Sequence, residues 1–284
     1  MRNYVILAPP YGRSAGVRAL YMLSDMLERK GFSAPVLCHT PSPGHHCMTY
    51  FTGRMQREDI VVYPETVKGN PLRFHRVARY VLYYPGRLGG DEVFDEREHV
   101  VVWDRTYLGN VPALTFSMLD RRLFYDAGLP RIRDCIYEHK NCGVKRRVDG
   151  AGAVRITMKY PAMRSDLAAL LQTTRVLYSY DHNSLLNDEA AACGAAVKLV
   201  TDEGLVDYVP TPEPSEEDTQ RQLAQFIEAT QSLAPYPPPP EPKALRLKMT
   251  LRLFFHNAVH ACTGSDRSRL KAWHDRMKLG LPGK

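Results

Sequence analysis

Two acidic residues separated by seven positions, Asp181 and Glu189, carry the strongest chemical signal in the chain. They lie in the run Tyr178-Ser179-Tyr180-Asp181-His182-Asn183-Ser184-Leu185-Leu186-Asn187-Asp188-Glu189. An apolar strand ends at Asp181, and a small-residue helix begins within three residues and stops at Gly194. Ligands of open parallel sheets bind outside the carboxyl ends of strands, and a helix N-terminus presents unpaired N–H groups to anions. His182, Asn183 and Ser184 are therefore placed to hold a pyrophosphate. Each carboxylate accepts two hydroxyl hydrogen bonds, which is what a sugar diol requires. The plainer readings are a helix cap for Asp181 and a solvated helix carboxylate for Glu189.

Other residues stand at comparable places. Glu65 ends the buried run Asp59 to Glu65, where a base could serve a second substrate, and Asp104 follows the apolar run His99 to Trp103. Gly12 and Gly16 bracket the loop after the first apolar segment, where glycine permits a tight, ligand-facing turn. His75 is a weaker candidate for acid–base work. Cys38, His39, His45, His46 and Cys47 have zinc-ligating types but a spacing that matches no standard site, so they read as loop residues and no metal site is expected.

These residues need a scaffold, and the apolar pattern supplies one. Tyr4 to Ala8 reads as a strand, followed by helical spacing at Val17, Leu20, Tyr21 and Leu27 and a stop at Gly31. Strands are expected at Pro35 to Cys38, Asp59 to Glu65, His99 to Trp103 and Pro112 to Met118. Asn70-Pro71 reads as a helix start, with Phe74, Val77, Ala78, Val81 and Leu82 on one face. A second series follows, with strands at Asp134 to Glu138, Val154 to Met158, Arg175 to Tyr180 and Ala196 to Val200. Helices are expected after Ser165, from about Ser184 to Cys193, and from Ser215 to about Gln231. Strands alternating with helices imply parallel sheets. The division is a first domain over residues 1–128, a second, smaller Rossmann-like domain over 129–235, and a tail over 236–284. In that tail Pro237 to Pro240 form a stiff connector, and Leu247, Leu251, Phe254, Phe255 and Ala258 stripe a basic helix.

The acid-x7-acid segment resembles that of GT-B glycosyltransferases, bacterial-type enzymes of surface-polysaccharide pathways. Gly12 to Gly16, Val62-Tyr63-Pro64-Glu65 with Gly69-Asn70-Pro71-Leu72, and Tyr137-Glu138-His139-Lys140 also look like this group. The resemblance implies an α/β fold of two facing Rossmann-like domains with parallel sheets and a C-terminal helix crossing back. It implies that Asp181 contacts the donor sugar and Glu189 the ribose hydroxyls. Lys140, Lys145 and Arg146 take the place where such enzymes set cations against the diphosphate leaving group. Negative charge on that group must be stabilised, and no D-x-D motif occurs, so cationic side chains are the expected stabilisers. The implied partners are a nucleoside-diphosphate sugar, bound as substrate with no further cofactor, and a glycan or lipid-linked acceptor. Asp stands at the first acidic position where Glu is commoner, which weakens any inference of a retaining mechanism.

Composition bounds the alternatives. The chain has 284 residues, 44% hydrophobic and 24% charged, enough to bury a core for two domains. It contains no apolar run of membrane-spanning length, and its six cysteines include no C-x-x-C pair, which fits reduced thiols and a cytoplasmic setting. Of the formal net charge of +7, residues 243–284 carry +8 (ten Lys/Arg against two Asp), so the rest carries −1. The basic tail fits an anionic membrane surface; no nucleic-acid-binding motif accompanies it. An NAD-type oxidoreductase is disfavoured, because the first loop reads G-x-x-x-G and Cys38-His39-Thr40 puts no acid at the end of the second strand. A nucleotide-sugar-binding module without turnover remains the alternative.

Overall fold

The computed structural model describes residues 1–49, 56–139, 143–210 and 212–235. Lys140, the proline connector and the basic helix expected beyond it lie outside the described residues.

The chain builds two mixed α/β layers around two parallel-dominated sheets. The first sheet comprises β1 (Tyr4–Leu7), β2 (Val36–Leu37), β3 (Cys47–Met48), β4 (Ile60–Pro64), β5 (Arg76–Val81) and β6 (His99–Val102), ordered β3-β2-β1-β4-β5-β6 and parallel throughout. The order reverses between β1 and β4, which opens a crevice at their carboxyl ends. Helix α1 (Ala15–Arg29) covers one face through Ala19, Leu20, Leu23, Met26 and Leu27. Every residue of β4 and β5 is buried, as expected of parallel strands covered on both faces.

The second sheet is ordered β11-β10-β9-β7-β8, from β7 (Arg133–Tyr137), β8 (Val154–Ile156), β9 (Thr174–Ser179), β10 (Ala196–Val200) and β11 (Leu205–Asp207). Only β11 runs antiparallel. Its reversal point lies between β7 and β9. Helices α2 (Arg164–Gln172) and α3 (Leu185–Ala192) bury Leu167, Leu171, Leu186 and Ala190 on one face. Helix α4 (Glu216–Gln231) follows this sheet in sequence but packs on the first. Leu223 and Phe226 enter the first core, Phe226 stacks on Tyr4 at 6.1 Å, and the Tyr4 and Thr230 hydroxyls are 2.8 Å apart. Helix α4, which precedes the proline connector, thus returns to the first sheet, while the tail helix expected to cross back lies outside the described residues.

Two expected elements differ. The segment from Asn70 is not a helix: Asn70 Oδ1 accepts the Phe74 N–H at 3.2 Å in a turn, Arg73 adopts a φ of 59°, and the chain then enters β5. Val77, Ala78 and Val81 satisfy helical spacing, but both faces of Arg76–Val81 are buried, and a doubly buried strand shows no alternation. Pro112 to Met118 forms no strand beyond a single bridge, Val102 to Ala113, because the Thr115 N–H goes instead to Gln222 of α4 at 2.7 Å.

The loop between β5 and β6 folds back over the end of β4. Gly90 has a φ of +81°, and a Cβ there would lie 1.9 Å from the Glu65 carbonyl oxygen. Gly90→Ala is expected to destabilise the fold by about 2 kcal/mol or more, from the left-handed backbone and the clash together. Urea unfolding checks this; an unchanged midpoint would show that the loop does not seat on β4.

Candidate functional site

The carboxyl ends of β7, β8 and β9 open into a cavity whose other wall comes from the first sheet. The β1–α1 loop contributes Arg13, Ser14 and Ala15, and α1 contributes Arg18. The second sheet and its helices contribute Tyr137, His139, Ile156, Thr157, Met158, Arg164, Leu167, Asp181, Asn183, Ser184, Leu185, Leu186 and Glu189. Both acids of the acid-x7-acid segment thus face the same space, together with two residues of the strand-to-helix junction.

The junction is rigid. Ser184 caps α3 by accepting the Leu186 N–H at 3.3 Å, and Asn187, fully buried, donates to the carbonyls of Asp181 at 3.0 Å and His182 at 3.3 Å. The start of α3 lines the cavity through Ser184, Leu185 and Leu186, with the Leu186 and Asn187 N–H groups already taken by Ser184.

Three arginines define the electrostatics. Glu189, 3% exposed, accepts on Oε1 from Arg164 at 2.9 Å and from Arg18 at 3.4 Å; Arg18 also donates to the Met118 carbonyl at 3.0 Å. Arg164 lies over the Phe124 ring at 4.6 Å. Arg13 reaches across from the first sheet, donating through Nη1 to the Thr157 carbonyl at 2.8 Å. Its Nε and Nη2 are buried with no hydrogen-bond partner among the described residues. Burial and then the charge of Arg164 lower the Arg13 pKa, against which Tyr137 and Glu189 act. Burial pushes the Tyr137 phenol up to about 12, opposed by its hydrogen bond with Ser184 and reinforced by the charge of Asp181. Three guanidiniums against two carboxylates leave the cavity with an excess positive charge and two unused N–H donors, an arrangement that calls for an anion.

Of the other sequence candidates, His182 turns its Nε2 to the Val200 carbonyl at 2.9 Å, away from the cavity lining. Lys145 and Arg146 are exposed and give their backbone N–H groups to Asp202 at 2.7 and 3.0 Å. The positive charge at the cavity comes instead from arginines scattered along the chain. Gly12 lies in the exposed loop, and Gly16 faces Leu82, where an added Cβ would stand at an ordinary contact distance of 3.5 Å from the Leu82 Cβ. Glu65 is buried and accepts the Leu82 N–H at 2.9 Å, tying the end of β4 to the end of β5. Asp104, half-buried at the end of β6, accepts the Thr106 N–H at 2.8 Å. His75 pairs with Glu58 at 2.8 Å. In the cysteine–histidine loop, His46 pairs with Glu28 and His45 packs against Tyr11 and Tyr21. Among the described residues no group of three or more His, Cys, Asp or Glu is placed to hold a metal ion.

The sequence pattern assigns no site role to Arg18, Arg164 or Asn187, and it includes Tyr137 and Arg13 only as members of the Tyr137–Lys140 segment and the first loop. A signal existed for Arg18, a charge on the otherwise apolar face of α1. No family model matches the chain, and no curated protein matches it. No helix among the described residues is long and apolar enough to cross a membrane.

Proposed function

We propose that this protein is a glycosyltransferase of GT-B architecture that moves a sugar from a nucleoside-diphosphate donor to a hydroxyl of a glycan or glycolipid. The observation that carries the reading is the cavity at the carboxyl ends of β7 and β9, where the unpartnered Nε and Nη2 of Arg13 share the space with the strand-end acid Asp181 and the α3 acid Glu189. In this reading the diphosphate lies against Arg13, Arg164 and the N-terminus of α3. Oε1 of Glu189 is occupied by arginine, and Oε2 takes the ribose hydroxyls. Asp181 orients the donor sugar. The acceptor oxygen attacks the anomeric carbon, the bond from that carbon to the phosphate oxygen breaks, and the nucleoside diphosphate leaves with its charge held by the guanidiniums. Asp104, on the first-sheet side, takes the acceptor proton. The buried and engaged Glu65 acts as a positioning residue for the loop after β5.

Incubation with UDP-, GDP- and other nucleotide sugars tests the reading through release of free nucleoside diphosphate. Glu189→Ala is expected to weaken nucleoside-diphosphate binding by about 1 to 3 kcal/mol, the range for hydrogen bonds to a charged group and for a buried group left unpaired. Calorimetric titration measures it, and an affinity equal to that of the unaltered chain would take Glu189 out of the donor site.

Metal independence belongs to the same reading, because the sequence lacks D-x-D and arginines supply the positive charge. Turnover is expected to survive EDTA. Full loss with EDTA, restored by Mn²⁺ or Mg²⁺, would contradict it. A binding module without turnover is the second reading, favoured by the engagement of both Glu65 and Glu189. Tight donor binding with no nucleotide release would select it. The basic residues of 243–284 would draw the protein to an anionic membrane carrying a lipid-linked acceptor.

A further inference from the structure

We propose that Tyr83, Tyr84 and Tyr107 form an acceptor platform, a clustered aromatic surface on the first-sheet side of the cavity that stacks against a pyranose ring of the acceptor glycan. The proposal rests on the glycosyl-transfer reading above.

The placement follows from the topology. Tyr83 and Tyr84 come directly after Leu82 at the carboxyl end of β5, and Tyr107 lies in the turn after β6. Adjacent parallel strands deliver the three residues to one edge, the same edge from which Arg13 reaches the cavity. Ring centroids are 5.2 Å apart for Tyr83 and Tyr84, 5.6 Å for Tyr83 and Tyr107, and 4.9 Å for Tyr84 and Tyr107. Leu82 abuts Gly16 of α1, which follows the cavity-lining Ala15, so Leu82 and Gly16 stand between the platform and the cavity wall. Burial raises the Tyr107 phenol, and the charges of Asp104 and, to a lesser extent, of the cavity acid Asp181 raise it further.

Core packing does not account for the cluster. All three residues are half-buried, and none belongs to any of the four apolar cores. The rings cross at 78° for Tyr83 and Tyr84 and 68° for Tyr84 and Tyr107, so the half-buried group offers aromatic surface in more than one orientation. A pyranose offers the complement, an axial C–H face bordered by hydroxyls. Rings that already pack on one another lose little freedom when a ligand arrives, so the surface is preorganised. Asp104 beside Tyr107 would then meet the hydroxyl of a sugar seated there.

The test uses the full chain on a printed array of defined oligosaccharides, with UDP or GDP present, followed by titration of the strongest binder. Tyr84→Ala and Tyr107→Ala are each expected to lower glycan affinity by about tenfold or more, with nucleotide affinity unchanged. Tyr107→Phe keeps the ring and is expected to keep binding. Tyr107→Leu keeps most of the volume without the ring and is expected to lose binding, which separates stacking from misfolding. Undiminished glycan binding in the alanine variants, capture of no glycan by the unaltered chain, or a loss that falls on the nucleotide instead would each overturn the platform. Glycan capture lost in the variants, with no nucleoside diphosphate bound by the unaltered chain, would uphold the platform while removing the donor reading.

Discussion

Arg79→Met is expected to lower folding stability by about 3 to 5 kcal/mol, the cost of stranding one member of a buried ion pair. Arg79 is 1% exposed inside β5 and forms a two-point contact with Glu98, Nε to Oε2 at 2.5 Å and Nη2 to Oε1 at 3.0 Å. The same guanidinium donates to the carbonyls of Val67 at 2.8 Å and Gly69 at 2.5 Å, and lies over the Tyr63 ring at 5.1 Å. Methionine fills much of the volume but takes the Arg79 donors away from the Glu98 carboxylate and two backbone carbonyls. Because Arg79 ties the loop after β4 to the residue before β6, its loss loosens the loop that follows Glu65. Denaturant unfolding of Arg79→Met and of the double variant Arg79→Met, Glu98→Met checks the reasoning. The double variant is expected to recover part of the loss, since no charge is then left unpaired. A single variant as stable as the unaltered chain would show that the pair does not hold the sheet.

Arg13→Ala is expected to leave folding nearly unchanged while weakening binding. The substitution removes one hydrogen bond, to the Thr157 carbonyl, but also two buried donors without partners and the repulsion between Arg13 and Arg164. Stability without ligand should therefore change by no more than about 1 kcal/mol. Nucleoside-diphosphate affinity should fall by about 1.5 to 3 kcal/mol, the range for a hydrogen bond to a charged partner, or roughly tenfold to a hundredfold. Calorimetry and thermal melting on the same preparation give both quantities. Large destabilisation with unaltered nucleotide affinity would make Arg13 a structural strut.

The strand-to-helix junction was legible because local rules agree there. Tyr178 and its neighbours form an apolar run, Ser184 is a strong capping residue, and Gly194 with its φ of +81° stops the helix, so Asp181 falls before α3 and Glu189 within it, as the spacing predicts. β5 was not legible, because its hidden charge is neutralised by Glu98 nineteen residues later, a pairing with no local signature. Nor was the arginine set. Lys145 and Arg146 announce themselves as neighbours in sequence yet are solvated, whereas Arg13, Arg18 and Arg164 converge only when α1 of the first sheet meets α2 and α3 of the second. α4 reads correctly as a capped helix from Ser215, but its choice of the first sheet depends on Tyr4, Thr115 and Arg2, residues more than a hundred positions earlier.

A thermal-shift series on the unaltered chain and on Arg13→Ala, with UDP, GDP, CMP and NAD, tests the donor site most directly. A ligand that binds only the folded state raises the melting temperature with its concentration, by about 2.7 kcal/mol of added stability at a hundred times its dissociation constant. At least one nucleoside diphosphate is expected to stabilise the unaltered chain, and Arg13→Ala is expected to lose most of that stabilisation. Stabilisation by NAD alone, or by no nucleotide at saturating concentration, would contradict a nucleoside-diphosphate site at the meeting of the two sheets.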